Sequence, residues 1–456
     1  MKSDTIAAPA TALSSAGIGI IRISGCDCIE IADRIFRAKS GKKLADCASH
    51  TIHYGFIKDG DTLVDEALVM LMKAPNSYTR EDTVEIDCHG GTLVMKKILE
   101  AVIHAGARMA EPGEFTKRAF LNGRIDLAQA ESVIDMINAK NDFAWKSSLD
   151  QLTGSLSKVI RKLRERILHE TAFIESALDD PEHYPLEDYP EKLELIVQEL
   201  KREIERLIQT ADNGRIRKEG INTVIVGKPN VGKSSILNVL VGSERAIVTD
   251  VAGTTRDALE EQIQLSGISL NMIDTAGIHQ TEDIVEKIGV ERAKAYLERA
   301  DLVLYVVDSS RELSEDDFIV AGLLEEKKVI VILNKSDLEQ RVTQAQLESI
   351  SSHIISVSAK AGDGIAELTD MIQGMFLHGD ISYNDQVVIT SLRHKNSLIE
   401  AFESLEQVEE SIQNQMPEDF YSIDLMNAYD SLGAIIGESL EDDLANEIFS
   451  KFCMGK

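Results

Sequence analysis

Hydrophobic and polar positions along the chain change rhythm three times. In the first segment, GIGIIRIS, EALVMLMK and DTVEIDCHGG have strand character, and GTLVMKKILEAVIHAGA has helical spacing, so residues 1–120 are expected to form a mixed α+β domain. The rhythm then turns helical. Trp145, Leu149, Leu152, Leu156, Val159, Leu163 and Ile167 step by fours and threes, which predicts one long amphipathic helix from Trp145 to Leu168. The proline-rich stretch DDPEHYPLEDYP, residues 179–190, interrupts this helical region. Residues 221–226 alternate and then run apolar, as a buried strand does. Further apolar strands in LNMIDTAG, VIVILNKSD and ISVSAK alternate with helical stretches, which predicts an α/β unit with a mostly parallel sheet. Helical spacing returns at Leu398, Phe402, Leu405, Val408 and Ile412. The simplest organisation is a helical domain in two parts, 121–216 and 379–456, with the α/β unit 217–378 inserted between them. There is no internal repeat and no low-complexity tract.

Composition narrows this picture. A chain of 456 residues is too long for one ordinary core and fits two or three domains. Its 43% apolar and 27% charged residues are those of a globular protein, and no run reaches the roughly 18 apolar residues of a membrane span. The start MKSDTIAAPATALSSAGIGIIRIS is broken by Asp4, Ser14, Ser15 and Arg22, unlike a secretory leader. The cysteines Cys26, Cys28, Cys47, Cys88 and Cys453 form neither a disulfide framework nor a zinc pair, which points to a reducing cytoplasm. The formal charge of −29 opposes extensive binding to a nucleic-acid backbone. An RNA substrate would be held mostly by a second protein.

The clearest chemistry follows the strand at 221–226. Gly227 to Ser234 reads G-x-x-x-x-G-K-S, and a helix follows, the context a phosphate loop requires. Asn230, Val231, Gly232, Lys233, Ser234 and Ser235 then face the phosphates. Gly227 and Gly232 allow amides to line the β-phosphate, Lys233 supplies charge, and the Ser234 hydroxyl can coordinate Mg²⁺. Asp274, Thr275, Ala276 and Gly277 form DTAG, with Asp274 set for the magnesium shell and Gly277 for the γ-phosphate. Asn334, Lys335, Ser336 and Asp337 form NKSD, and the Asp337 carboxylate can accept from both donors of guanine. Adenine lacks those donors, so such a site discriminates by about 10⁴-fold or more. Ser358, Ala359 and Lys360 complete the base pocket. Four motifs in this order make a Ras-like GTPase domain.

The residue after DTAG is Ile278, where many small GTPases place a water-orienting glutamine. The first switch, TDVAGTTRD, offers Thr249, Asp250, Val251, Ala252, Gly253, Thr254 and Thr255, with Thr254 or Thr255 closing on Mg²⁺. Arg256 is read as structural rather than as an arginine finger. Asn230 suggests a substitute source of charge: an amide oxygen, with switch-loop carbonyls, suits a large monovalent cation.

Taken together, DTIAA, GIGIIRISG, SYTREDTVEIDCHGG, EPGEFTKRAFLNGRIDLAQAE, GKPNVGKSSILN, IVTDVAGTTRD, DTAGI, NKSD and the final CMGK resemble the MnmE (TrmE) family of tRNA-modification GTPases, from end to end. The resemblance implies an N-terminal domain that binds a tetrahydrofolate derivative of 5-formyl or methylene type and dimerises. It also implies a helical domain carrying an inserted GTPase domain that is activated by potassium-dependent dimerisation. With an FAD-dependent partner, MnmG (GidA), such a homodimer forms a heterotetramer. That complex adds an aminomethyl- or carboxymethylaminomethyl-type group to C5 of the wobble uridine of certain tRNAs. By motif, the resemblance assigns K⁺ to Asn230, Thr249, Val251 and Thr254, Mg²⁺ to Ser234 and Thr255, and water positioning to Glu286. It assigns folate to Arg22, Glu85, Arg124 and Lys456, with Cys453 near the reacting carbon. Arg124 is often lysine in the family, which keeps the charge and changes the geometry. Cys453 stands where a prenylated cysteine would, but Met454, Gly455 and Lys456 do not complete such a signal. An Era- or Der-like ribosome-assembly GTPase is the alternative, since it shares KPNVGKS and GTTRD, although no basic RNA-binding module is visible.

Overall fold

The computed structural model describes residues 4–183, 186, 188–243, 261–265, 268–273, 297–324, 327–376, 387–438, 447–450, 452 and 455. The chain divides into two compact units, one of Met1–Asn138, Ser147–Glu203 and Asn396–Lys456, the other of Ala139–Lys146 and Ile204–Lys395.

In the first unit, β1 (Ile6–Pro9), β2 (Ala16–Ser24), β3 (Phe36–Ala38), β4 (Thr51–Asp59), β5 (Thr62–Met72), β6 (Thr83–Gly90) and β7 (Arg108–Met109) form one sheet in the order β3-β4-β5-β6-β2-β1-β7. All its pairings are antiparallel except the short parallel pairing of β1 with β7. One face carries Ile21, Ile23, Val69, Leu71, Val84 and Ile86 into a core closed by α1 (Cys28–Ile35) and α2 (Thr92–His104). Alternation places Arg22, Glu85 and Asp87 on the opposite face. That face also carries Ile18, Ile52, Tyr54 and Leu68, all exposed. The sheet therefore has a sealed side and a second side that is covered at β1, where Ile6 and Ala8 pack with Phe115, and open and partly apolar elsewhere.

Two short helices, α3 (Glu114–Leu121) and α4 (Leu127–Ile137), lead into the helical part. The long helix expected from Trp145 to Leu168 is instead two, α5 (Asp142–Leu152) and α6 (Ser155–Asp179). Gly154 ends the run in a left-handed conformation, φ +84°, that other residues adopt only with strain. The apolar period persists across the break, yet Trp145 and Leu149 remain 52% and 36% exposed, whereas Leu156, Leu163 and Ile167 are buried. The proline-rich stretch lies between α6 and α7 (Tyr189–Glu219). Later in the chain, α11 (Leu392–Gln413) buries Leu398, Leu405, Val408 and Ile412, and α12 (Glu418–Ile436) packs along α6. Phe449 and Phe452 pack with Ala119, Ile125 and Leu127.

The second unit holds a sheet of β8 (Ile221–Val226), β9 (Glu261–Leu265), β10 (Ile268–Met272), β11 (Leu302–Asp308), β12 (Val329–Asn334) and β13 (Ile354–Val357), ordered β13-β12-β11-β8-β10-β9. Every pairing is parallel except β9 with β10. LVLYVVD and VIVILN are buried along their whole length, as strands covered on both faces must be. One face meets α8 (Lys233–Ser243) and α10 (Ile365–Phe376). Toward the other face lies α9 (Glu315–Gly322), whose Asp317 carbonyl accepts from the Tyr305 hydroxyl at 2.9 Å. This is a P-loop GTPase fold, accompanied by an N-terminal α+β domain and helical segments.

Candidate functional site

The loop from Gly227 to Gly232 connects β8 to α8, and its carbonyls are held from several directions. Lys233 Nζ donates to the carbonyls of Gly227 and Lys228, at 2.7 and 2.8 Å. Its burial disfavours the charged form and lowers its pKa. Asn334 Nδ2 donates to the Val231 carbonyl at 2.8 Å, and Asn334 Oδ1 accepts from the Ala359 amide at 3.2 Å. The first loop is thereby tied to both later ones. Their approach is close: a Cβ on Gly232 would lie 2.1 Å from Asn334 Nδ2, so only glycine fits there.

Lys335 Nζ donates to the Asn230 carbonyl at 3.1 Å and pairs with Asp308 at the end of β11. Burial raises the Asp308 pKa, but bonds from Lys335 and Ser310 outweigh it and hold this carboxyl below the ordinary aspartate value. Asp337 Oδ1 accepts from Ser358 Oγ at 2.8 Å, and the Ser336 amide donates to the Val357 carbonyl at 3.1 Å. Asn334, Lys335, Ser336, Asp337, Ser358, Ala359 and the phosphate loop therefore converge at one end of the sheet, with Lys360 next in the chain. This is the edge beyond the strand carboxyl ends where open α/β sheets take ligands. Asn230 is exposed with φ +64°, unusual for a non-glycine residue, and its side-chain amide makes no hydrogen bond among the described residues. Val231 is buried, Ser235 exposed and Ser234 half-buried at the start of α8. Thr249, Asp250, Val251, Ala252, Gly253, Thr254, Thr255, Asp274, Thr275, Ala276, Gly277 and Glu286 lie outside the described residues, as do Arg256 and Ile278.

A second constellation lies on the open face of the N-terminal sheet. Arg22 and Glu85 are direct partners across β2 and β6, and Arg22 Nε donates to Glu85 Oε1 at 2.6 Å with both side chains 15% exposed. Arg22 also lies 5.4 Å from the Tyr78 ring centroid and 5.7 Å from that of Phe115, which is fully buried on α3. The Arg124 guanidinium is 4.7 Å from the same Tyr78 centroid. Two cations on one aromatic ring lie at cation–π distance. Arg124 makes no ion pair among the described residues, and Glu85 Oε2 has no hydrogen-bond partner among them.

The chain returns to this place from far away. Arg22 Nη1 donates to the Gly455 carbonyl at 3.1 Å, across 433 positions. Gly455 has φ +88°, and a Cβ there would lie 2.1 Å from the Pro9 carbonyl oxygen, so the close approach requires glycine. Cys453 and Lys456 lie outside the described residues. The sequence alone does not single out Tyr78 and Phe115, although both stand inside motifs, SYTRED and EPGEFTKRAF. Nor does it single out Asp308, whose only sequence signal is its place at the end of an apolar strand.

Asp87, two residues beyond Glu85 on the same face, has a buried Oδ1 with no partner among the described residues. Burial and the neighbouring Glu85 charge raise its pKa. Among the described residues no His, Cys, Asp and Glu cluster could hold a metal ion, and no helix is long and apolar enough to cross a membrane.

A family model described as the MnmE helical domain matches residues 127–453, and one described as the GTP-binding protein TrmE N-terminus matches residues 5–124. The tRNA modification GTPase MnmE of Lachnoclostridium phytofermentans is 55% identical over 458 residues, with 100% of both chains covered. The proteins of that name from Clostridioides difficile and Alkaliphilus oremlandii are 48% identical over 459 residues and 50% over 457, each with 99% of both chains covered.

Proposed function

The chain belongs to the MnmE (TrmE) family of tRNA modification GTPases, and from that membership we propose that its GTP hydrolysis serves modification of the wobble uridine in certain tRNAs. In this reading an FAD-dependent partner of the MnmG type binds most of the tRNA. The complex places an aminomethyl- or carboxymethylaminomethyl-type group on C5 of the uridine, and a tetrahydrofolate derivative supplies the one-carbon unit. The chain's charge of −29 supports leaving the tRNA to a partner. The exposed apolar positions Ile18, Ile52, Tyr54 and Leu68 support pairing of two N-terminal domains in a homodimer. The cytoplasm is the compartment this activity requires.

One observation carries the reading: Arg22, Glu85 and Arg124 gather around Tyr78 at a place where Gly455 also docks. A ribosome-assembly switch has no need of such a site. The residues fit a reduced pterin. Glu85 Oε2, without a hydrogen-bond partner among the described residues, suits the donor edge of the ring, Tyr78 offers an aromatic face, and Arg124, without an ion pair among them, suits the ligand's carboxylate or carbonyl. Arg22 holds Glu85 in place through its 2.6 Å bond. The docking of Gly455 supports bringing Lys456 to the ligand and Cys453 near its reactive carbon, as nucleophile or proton carrier.

In the GTPase segment, 217–378, Lys233 neutralises phosphate charge, Ser234 and Thr255 would hold Mg²⁺, and Asp337 reads guanine. Gly277 meets the γ-phosphate, and Glu286 orients the attacking water in place of the missing glutamine. Asn230 would hold K⁺ with Thr249, Val251 and Thr254. The Asn230 amide, without a hydrogen bond among the described residues and on a loop at positive φ, fits an oxygen donor for a cation. Held there as two GTPase domains pair, potassium would supply positive charge beside the phosphates.

Nucleoside analysis of tRNA from cells lacking the chain tests this function. Loss of the C5-modified wobble uridines is expected, and their persistence would remove the assignment. GTP turnover in potassium against sodium tests the cation, since equal rates would exclude it.

A further inference from the structure

Asn230 occupies a strained turn, and a strained non-glycine residue keeps its conformation only when its surroundings hold it. One brace is the Lys335 ammonium on its carbonyl. The other acts two residues earlier. Lys228 Nζ lies 2.6 Å from Asp317 Oδ2 and donates to Ser314 Oγ at 2.9 Å.

Asp317 is itself a fixed point. It is 4% exposed, its carboxylate accepts from the Ser314 amide at 2.8 Å to cap α9, and its carbonyl accepts from the buried Tyr305. The Lys228 carbonyl is meanwhile held by Lys233. Lys228 is thus tied at both ends, with Pro229 stiffening the step to Asn230. Lys228, Pro229, Asn230, Asp308, Arg311 and Asp317 line a small cleft beside the loop. Without the strut, the turn has room to relax into that cleft.

We propose that Lys228 and Asp317 are positioning residues for the monovalent cation. Their ion pair holds the Pro229–Asn230 turn so that the Asn230 amide oxygen is presented at one place. The proposal rests on the reading of Asn230 as a potassium ligand. A ligand on a rigid loop binds without a further ordering cost, whereas one on a loosened loop must be ordered by the ion. Removal of groups that orient ligands commonly weakens metal binding by about 10- to 100-fold.

The test is a titration of GTP turnover against potassium chloride at constant ionic strength. It uses the full chain, Asp317→Asn, Lys228→Met and Lys228→Arg, with GDP affinity measured in parallel without potassium. Asp317→Asn keeps the shape and the helix cap while removing the charge. In Asp317→Asn and Lys228→Met the half-activating potassium concentration is expected to rise about 10-fold. Turnover at saturating potassium recovers, GDP affinity stays within about twofold, and Lys228→Arg keeps the original potassium curve. An unchanged curve in both charge-removing variants overturns the proposal. So does a potassium shift matched by an equal loss of GDP affinity, which marks general damage to the loop. If the unaltered protein turns over equally in sodium and potassium, the cation reading fails, and that is seen without any variant.

Discussion

The two constellations are built in opposite ways. The GTPase site collects short motifs from the ends of neighbouring parallel strands, and its groups reach one another through a braced loop. Asn334, Lys335 and Lys233 each hold a carbonyl of the phosphate loop. The N-terminal site draws single side chains from β2, the loop before β6, β6, α3 and the segment before α4, and adds a carbonyl from position 455. A loop of consecutive residues can be preorganised by main-chain geometry. A site of scattered residues depends on the sheet and the aromatic side chains that space them. The first kind tolerates distant change and fails at its own motif, whereas the second can be damaged from many places.

This contrast is open to direct challenge. Asp337→Asn replaces one acceptor for the guanine donors by a donor, and kcat/KM for GTP is expected to fall by about 10³-fold or more. Affinity for 5-formyltetrahydrofolate, read by calorimetry, should stay within about twofold. Arg22→Gln removes a half-buried charged partner, and 5-formyltetrahydrofolate should bind about 10- to 100-fold more weakly while GTP turnover holds. A parallel loss of GTP turnover would show that the two constellations are not separable. A smaller effect is expected from the far end of the chain. Gly455→Val drives a side chain toward the Pro9 carbonyl, and folate affinity should drop about fivefold to tenfold, roughly 1 kcal/mol.

The smallest effect is on stability. The Asp87 pKa is raised above its unfolded value of 3.8, so the fold disfavours the charged carboxylate. That cost is absent below the unfolded pKa and fully present once pH exceeds the folded one. Asp87→Asn should therefore raise Tm at pH 7 by about 1–2 °C, and by less near pH 4. A lower Tm at pH 7 would mean that the charge has a partner in the working assembly.

Legibility in the sequence follows the same division. The phosphate loop, the β12 strand leading into NKSD and the strands of the N-terminal sheet could be read because each is local, with chemistry and periodicity in a few adjacent residues. Arg22, Glu85 and Arg124 entered only through resemblance, since a lone arginine in a strand has no local signature. Tyr78 and Phe115 escaped notice because an aromatic side chain in a motif looks the same whether it packs a core or faces a cation. The break at Gly154 was hidden by an apolar period that continues across it. Asp308 carries only its place at the end of an apolar strand, and Asp317 no signal at all: each is one carboxylate in an acidic chain, distinguished by what the fold brings beside it.

The bond between Arg22 and Gly455 also sets a schedule for synthesis. At about 5–20 residues per second, the ribosome needs roughly 20–90 seconds to travel from one to the other. The strand bearing Arg22 emerges early, but its arginine receives its last partner only after everything between has been translated. A chain clipped near position 450 would leave Arg22 without the carbonyl of Gly455.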